Sequence, residues 1–599
     1  MTAVPRRSEV PQEHQWNAES VFPDTAAWKA ELDALHQAIP QAAAYSGRLS
    51  ESPALLAEAL EAMESIERRV GTVYFYAAMT SACDSTDDNA NGMVGQAGAL
   101  FASMAGAFAF TEPELLTIGH ETLKAWMQQE PRLAIYAQRF DDLFRRQRHV
   151  RSAEVEEVLG LSADAIQTLA DTAELITNAD MQFADAIDSE GNHHPVTQGT
   201  MDKHMNQPDL KRRETAWNSF FDAHLALKNG LANNLAGAIK RDVFFARARR
   251  HSSSLEAALF ANNIPVEVFH NLIDTFRRHI PTWHKYWRVR RKALGLETLH
   301  PYDVWAPIAT RQPTITFSDA VRMIAEGMQP LGDEYVGVLR RGCLEERWVD
   351  IYPNVGKRQG AFSYGQPGTH PFIMMNFNDT LNSMSTLAHE LGHSMHSYYT
   401  WQNQPYAYSG YSLFVAEVAS NFNQALVRAH LLKTQEDPQF RIAVIEEAMY
   451  NFHRYFFQMP TLARFELAMH ERAERGESLT ADIMISTMAD LFAEGYGDEV
   501  QFDRQRVGAT WATFGHLYAN FYVFQYATGI SAAHALAERV LTQGEPAAEA
   551  YLGFLKAGSS RYALDILQSA GVDMRTPEAV EKTFAVLEHY VDQLEALTN

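Results

Sequence analysis

A chain of 599 residues is longer than one hydrophobic core usually supports, so two or more lobes are expected. Hydrophobic residues at 46% and charged residues at 21% are the proportions of a soluble globular enzyme. The formal net charge of −23 excludes nucleic acid as the main partner, because phosphate binding needs a cationic surface.

The chain opens MTAVPRRSEVPQEHQW, where two arginines precede no apolar stretch. That pattern matches neither a secretory nor a twin-arginine leader. Cys83 and Cys343 are too few for a disulfide framework and form no CxxC pair, which fits a reducing compartment. The expected location is the cytoplasm.

In PALLAEALEAMESIERRVGTVYFYAAM, Leu56, Leu60, Met63, Val70, Val73 and Ala77 fall on one helical stripe. Residues 89–111 carry no charge and are long enough to cross a bilayer, but they are built on Ala, Gly, Ser and Gln rather than Leu and Ile. A tightly packed internal helix is the expectation there, and no membrane partner. The polar stretch EGNHHPVTQG suggests a break near residues 190–205. An N-terminal helical lobe over 1–200 would then give way to a catalytic part over 201–599. His193 and His194 read as loop residues and not as ligands. In FRRHIPTWHKYWRVRRK the helical spacing of Ile280, Trp283 and Trp287 predicts a packed stripe beneath a solvated cationic face.

Strand-like runs are few: residues 300–308 (HPYDVWAPI), 347–353 (RWVDIYP) and 371–378 (PFIMMNFN) are rich in β-branched or aromatic residues and bounded by Pro, Gly or Asn. The last segment has Thr576 as N-cap and Pro577 at the first helical position, with Val580, Phe584, Leu587, Val591 and Leu594 on its buried face. The expected fold is mainly α, with one small β-sheet ahead of residue 389.

TLAHELGHSMHSYYT contains His389-Glu390-Leu391-Gly392-His393. Residues four apart on a helix lie one turn apart on nearly the same face, so both imidazoles can converge at the ~2.0–2.1 Å that zinc–nitrogen bonds require. Zinc lowers the pKa of a coordinated water towards ~7, and Glu390 beside it takes the proton as hydroxide attacks a scissile carbonyl. With 23 histidines in the chain, an accidental HExxH has odds of roughly one in twenty. The apolar stripe Leu387, Leu391 and Met395 argues for a real helix.

A catalytic zinc needs a third protein ligand and one open position. His396 shares the face of the two histidines but stands two turns from His389, so a surface position or a supporting role fits it better. The longer HExxHxxGxxH pattern is absent, since His396 stands where its glycine would be. Glu417, in YSLFVAEVASNFNQALVRAH, is a carboxylate on a second predicted helix. Its alternative is a solvent-facing acid, and its place shortly after HExxH is that of a His₂Glu site.

The segment GAFSYGQPGTHPFIMMNFNDTLNSMSTLAHELGHSMHS followed by FVAEVAS resembles the oligoendopeptidase F group of the thimet-oligopeptidase-like zinc metallopeptidases. WNAESVFPDTAAW, FYVFQYATG, FLKAGSSRY and SAGVDM extend the likeness over nearly the whole chain. The resemblance implies a two-lobed helical zincin whose deep channel admits short peptides, with an oligopeptidase F-like N-terminal region at about 115–185. It implies one Zn2+ per chain on His389, His393 and Glu417, Glu390 as general base, and oxyanion stabilisation by His516 and tyrosines. Tyr518, Tyr522 and Tyr526 recur every four residues. The resemblance favours Tyr522 and Tyr526 as contacts, the alternative being an aromatic core stripe, and a turn near Gly515 is needed to bring His516 to their side.

Two departures stand out. The glycine-rich loop of the thimet branch is missing near residue 515, and Gln424 occupies a position where related sequences often carry glutamate. Residues 371–378 are a candidate edge strand for pairing with an extended substrate, with Gly365 and Gly368 allowing its approach. Tyr406, Tyr408, Gly410 and Tyr411 are a candidate loop over the site. The expected activity is endopeptidase cleavage of short oligopeptides. A peptidyl-dipeptidase or carboxypeptidase on the same scaffold, and a non-catalytic peptide-binding protein, are the rival readings.

Overall fold

Residues 4–598 are described by a computed structural model. The chain divides into two compact units that interleave in sequence: residues 1–148, 314–433 and 536–571 form the first, and 149–313, 434–535 and 572–599 the second. The break expected at residues 190–205 lies inside the second unit.

In the first unit the helix Pro53–Cys83 starts on Ser52, whose side chain accepts from the Leu55 N–H, with Pro53 at its first turn. All six residues of the stripe read from the sequence are buried. The uncharged run forms the helix Asp88–Phe108, and Met93, Ala97, Leu100, Met104 and Phe108 pack into the core shared with Pro53–Cys83. Its opposite face is open, with Phe101 49% exposed, so the expected enclosure holds on one side only.

Three short strands, β1 (Val349–Asp350), β2 (Phe362–Tyr364) and β3 (Phe372–Met374), make the sheet of this unit in the order β1-β3-β2. β1 runs parallel to β3 and β2 antiparallel to it. The segment expected to be an edge strand is therefore the central one, and β2 forms one edge. Phe372 of β3 stacks on Phe75 at 5.9 Å, which ties the sheet to the long helix. Asp350, fully buried, is held by the Lys357 ammonium at 2.7 Å and the Arg7 guanidinium at 2.6 Å. Burial alone would raise this carboxyl; the two cations hold it below the usual carboxylate range.

The second unit is a helical assembly with one two-stranded hairpin, in which Ala186–Ile187 pairs antiparallel with His193–His194. His194 bonds Asp188 at 2.8 Å, so the histidine pair belongs to a hairpin and not to a loop. Ile280, Trp283 and Trp287 are buried as expected, while Lys285, Arg278 and Arg288 pair with Asp592, Glu581 and Glu499. Residues 300–308 form no strand. Pro301 starts a single tight turn, Pro301–Asp303, which the Asp303 carboxylate closes by accepting from the His300 N–H at 3.0 Å. The C-terminal helix Glu578–Thr598 buries every residue assigned to its inner face.

Candidate active site

The HExxH residues lie on the helix Leu381–Asn403, which opens where the Thr380 side chain accepts from the Ser383 N–H. Leu387, Leu391 and Met395 anchor its inner face with no exposure. At Gly392 a second helix, Leu413–Thr434, crosses so closely that a Cβ would stand 2.4 Å from the Ala419 carbonyl oxygen. That approach brings Glu417 to the histidines: its Oε2 lies 3.4 Å from His389 Nε2 and 4.0 Å from His393 Nε2.

Two donors held at ~2.1 Å from one zinc at tetrahedral angles stand about 3.4 Å apart, so these three atoms suit a single ion. The imidazole planes meet at 84°, which lets their lone pairs converge. Another group of three donors, His149, His251 and Glu256, shows the contrast. There the rings stack face to face at 3.6 Å and 10°, and parallel lone pairs cannot share an ion at bonding distance.

Neighbours orient these side chains. His389 Nδ1 bonds Gln424 Oε1 at 3.2 Å, and the Gln424 amide donates to Ser385 Oγ at 2.8 Å, which leaves His389 Nε2 facing Glu417. Ser420 donates to Glu417 Oε2 at 3.0 Å. Gln424, singled out for lacking charge, thus serves as the acceptor that a glutamate would be. Burial pushes the Glu390 carboxyl up to about 7, with Glu417 adding to the rise, while His389 and the Ser363 N–H pull it down. Burial lowers His393 to about 4.

His396 is outside the donor group, and it is buried rather than on the surface, stacked on Tyr411 at 3.7 Å. Tyr411 also bonds Ser397 at 3.0 Å. Tyr408 is buried and accepts from the Gln138 N–H at 3.1 Å, and Tyr406 lies under Arg68, so the tyrosine-rich loop is tied to helices of its own unit.

The second candidate group lies in the second unit. Residues Gly515–Tyr518 form a tight turn, and the helix Phe524–Gln543 begins only afterwards, which supplies the bend expected near Gly515. His516 stacks on Tyr522 at 5.9 Å and 10° and meets Tyr526 edge-on at 5.8 Å. The Tyr526 hydroxyl donates to that of Tyr522 at 3.2 Å. Tyr518 is turned away, its hydroxyl accepting from Asn234 at 3.0 Å, so the three tyrosines do not share a helical face. Burial, and then Arg454, lower the His516 pKa, which keeps the ring neutral.

Sequence reasoning missed what holds this loop. Phe521 has a φ of 47°, a left-handed conformation costing an aromatic residue roughly 1–2 kcal/mol. Its N–H donates at 2.7 Å to Glu466 Oε1, a carboxyl that burial raises well above its ordinary range. Arg241 donates to the Tyr518 carbonyl at 2.8 Å. A signal for Glu466 existed: it shares helical spacing with Met459, Leu462 and Met469, all buried.

The profile of peptidase family M3 matches residues 203–586, and that described as Oligopeptidase F matches 114–183. Over 595 residues the chain is 38% identical to Oligopeptidase PepF of Bacillus subtilis, covering 99% of this chain and 88% of that one. It is 35% identical to Group B oligopeptidase PepB of Streptococcus agalactiae, over 99% and 98% of the two chains. The structure of oligoendopeptidase-F from Enterococcus faecium superposes with a TM-score of 0.74 at 28% identity, over 95% of this chain and 98% of that one. The chain therefore belongs to peptidase family M3, as a metallopeptidase of the oligoendopeptidase F group.

Proposed function

We propose that this metallopeptidase is a zinc-dependent endopeptidase acting inside short oligopeptides in the cytoplasm, with no nucleic-acid or membrane partner. The observation carrying the reading is the convergence of His389 Nε2, His393 Nε2 and Glu417 Oε2 on one point, with buried Glu390 on the same helix. When bound by these three residues, zinc supplies Lewis acidity that polarises a carbonyl and makes water acidic near neutral pH.

Glu390 takes the proton from the attacking water and passes it to the leaving nitrogen, a role suited to a carboxyl raised to about 7. Gln424 fixes the His389 tautomer. His516 and Tyr522 or Tyr526 are assigned to the oxyanion. Support comes from the mutual packing of the three rings and from the neutral imidazole. One such donor is worth about 2.7–4 kcal/mol.

The test combines metal analysis with digestion of a peptide pool, with and without a chelator. Glu390→Gln keeps one zinc per chain and loses about 10²–10⁴-fold in kcat, whereas His393→Ala loses the metal. Full turnover by zinc-loaded Glu390→Gln refutes the assigned base.

A further inference from the structure

The second unit holds a cavity of about 340 Å³, at the small end of the ~300–1,000 Å³ typical of ligand sites. Trp305, Tyr450 and Phe514 form apolar walls, and Asp202, His453 and Arg454 add polar atoms. The helix Pro438–His453 widens into a π-turn at Arg454–Gln458, so His453 and Arg454 sit where regular helix ends.

His453 is only 3% exposed, yet neither ring nitrogen meets a hydrogen-bond partner among the described residues. Trp305 lies edge-on to it at 4.6 Å, and Phe457 stacks at 5.2 Å. A neutral imidazole so placed offers one donor and one acceptor to whatever enters. Arg454 keeps an exposed side chain at the cavity wall and has no ion-pair partner among the described residues. Its guanidinium acts on the Tyr450 hydroxyl and lies over the Tyr455 ring, 5.9 Å from its centre. Asp202 acts on it only from farther away, being engaged by the Tyr450 hydroxyl at 3.2 Å. Phe514 of the cavity wall lies 6.3 Å from the His516 ring, which places the cavity beside the three-ring cluster.

We infer that this cavity is a subsite for the C-terminal residue of a peptide, with Arg454 pairing its carboxylate, His453 hydrogen-bonding its main chain and the aromatic walls holding an apolar or aromatic side chain. A planar guanidinium matches a carboxylate bidentately. Asp202 on the same wall disfavours a dianion such as phosphate. Such a subsite fixes one end of the substrate and makes peptide length count. The assignment rests on the peptidase reading above.

The experiment uses the full-length, zinc-loaded enzyme and two peptides of one sequence ending in phenylalanine, one a free acid and one an amide. The wild type is expected to show a KM about tenfold or more lower for the acid, the size of a hydrogen-bonded charge contact. In Arg454→Met the acid-to-amide ratio falls to about one, and Arg454→Lys, which keeps a point charge, retains part of it. Tryptophan fluorescence of zinc-loaded Glu390→Gln, titrated with both peptides, reports binding without turnover and shows the same preference. Equal KM values for acid and amide in the wild type, or an unchanged ratio in folded Arg454→Met, overturn the inference. Absence of chelator-sensitive cleavage of either peptide refutes the peptidase reading instead, and the titration still decides the cavity.

Discussion

In the first unit His389, Glu390 and His393 ride on an unbroken helix, and Glu417 on a second helix that meets it at Gly392. In the second unit His516 and Tyr522 sit on chain that passes from a tight turn through extended backbone and a left-handed Phe521 before a helix resumes. The first group is positioned by regular geometry, the second by hydrogen bonds to residues distant in sequence. A helix fixes direction through its own ladder, so only the crossing of two helices must be right. An irregular loop has no ladder, and each backbone group that sets its course needs a partner.

The sharpest way to break the first arrangement is at the crossing. Gly392→Ala adds a Cβ that meets backbone atoms of Ala419 and Ser420 at 2.4 and 2.6 Å, and neither can swing aside as a flexible side chain could. The helices must part, at a cost of about 1–3 kcal/mol or more, and Glu417 withdraws from the imidazoles. The expected result is loss of bound metal and of nearly all turnover with every ligand residue intact, read by metal analysis and peptide digestion. Full metal content in Gly392→Ala would show that the crossing does not set the ligand geometry.

The second arrangement breaks at Glu466. Replacing it with Leu strands the Phe521 N–H in a buried site, costing about 1–3 kcal/mol of stability. The expected outcome is a lower kcat with metal content unchanged, because the first unit is untouched. Glu466→Gln keeps an acceptor and mimics the neutral acid that burial imposes, so it restores both the melting temperature and kcat. If Gln behaves like Leu, the carboxyl is ionised and the account of the loop fails.

This contrast also decides what the sequence could reveal. The spacing of His389 and His393 puts both on one helical face, so the meeting of the two imidazoles was legible from residue numbers. Gly392 in the middle of that helix was a readable sign of close approach that went unused. The sheet order was not legible: residues 371–378 look like any short strand, and their central place depends on β1 and β2 arriving from either side. Residues 300–308 matched a strand by composition, whereas Pro301 and Asp303 favour a local turn. At the loop, Asn520 is the residue type that tolerates positive φ, yet Phe521 adopts it, because a buried partner outweighs local preference. The two compact units were hidden because each is assembled from separated segments.

The smallest expected effect tests the second unit through pH alone. Burial, and then Arg290, lower the His453 pKa to about 3, against about 6.5 in an unfolded chain. Between those values the unfolded state binds a proton that the folded state refuses, so this residue makes stability fall as pH falls below about 6.5. One such group contributes a slope of about 1.4 kcal/mol per pH unit. His453→Phe keeps an aromatic ring among Trp305, Trp283 and Phe457 and removes the titration. Denaturant unfolding between pH 7 and 4.5 should then show a shallower loss of stability in the variant. Parallel curves would mean that His453 titrates in the folded protein much as it does unfolded, and that its ring is not held dry at the cavity wall.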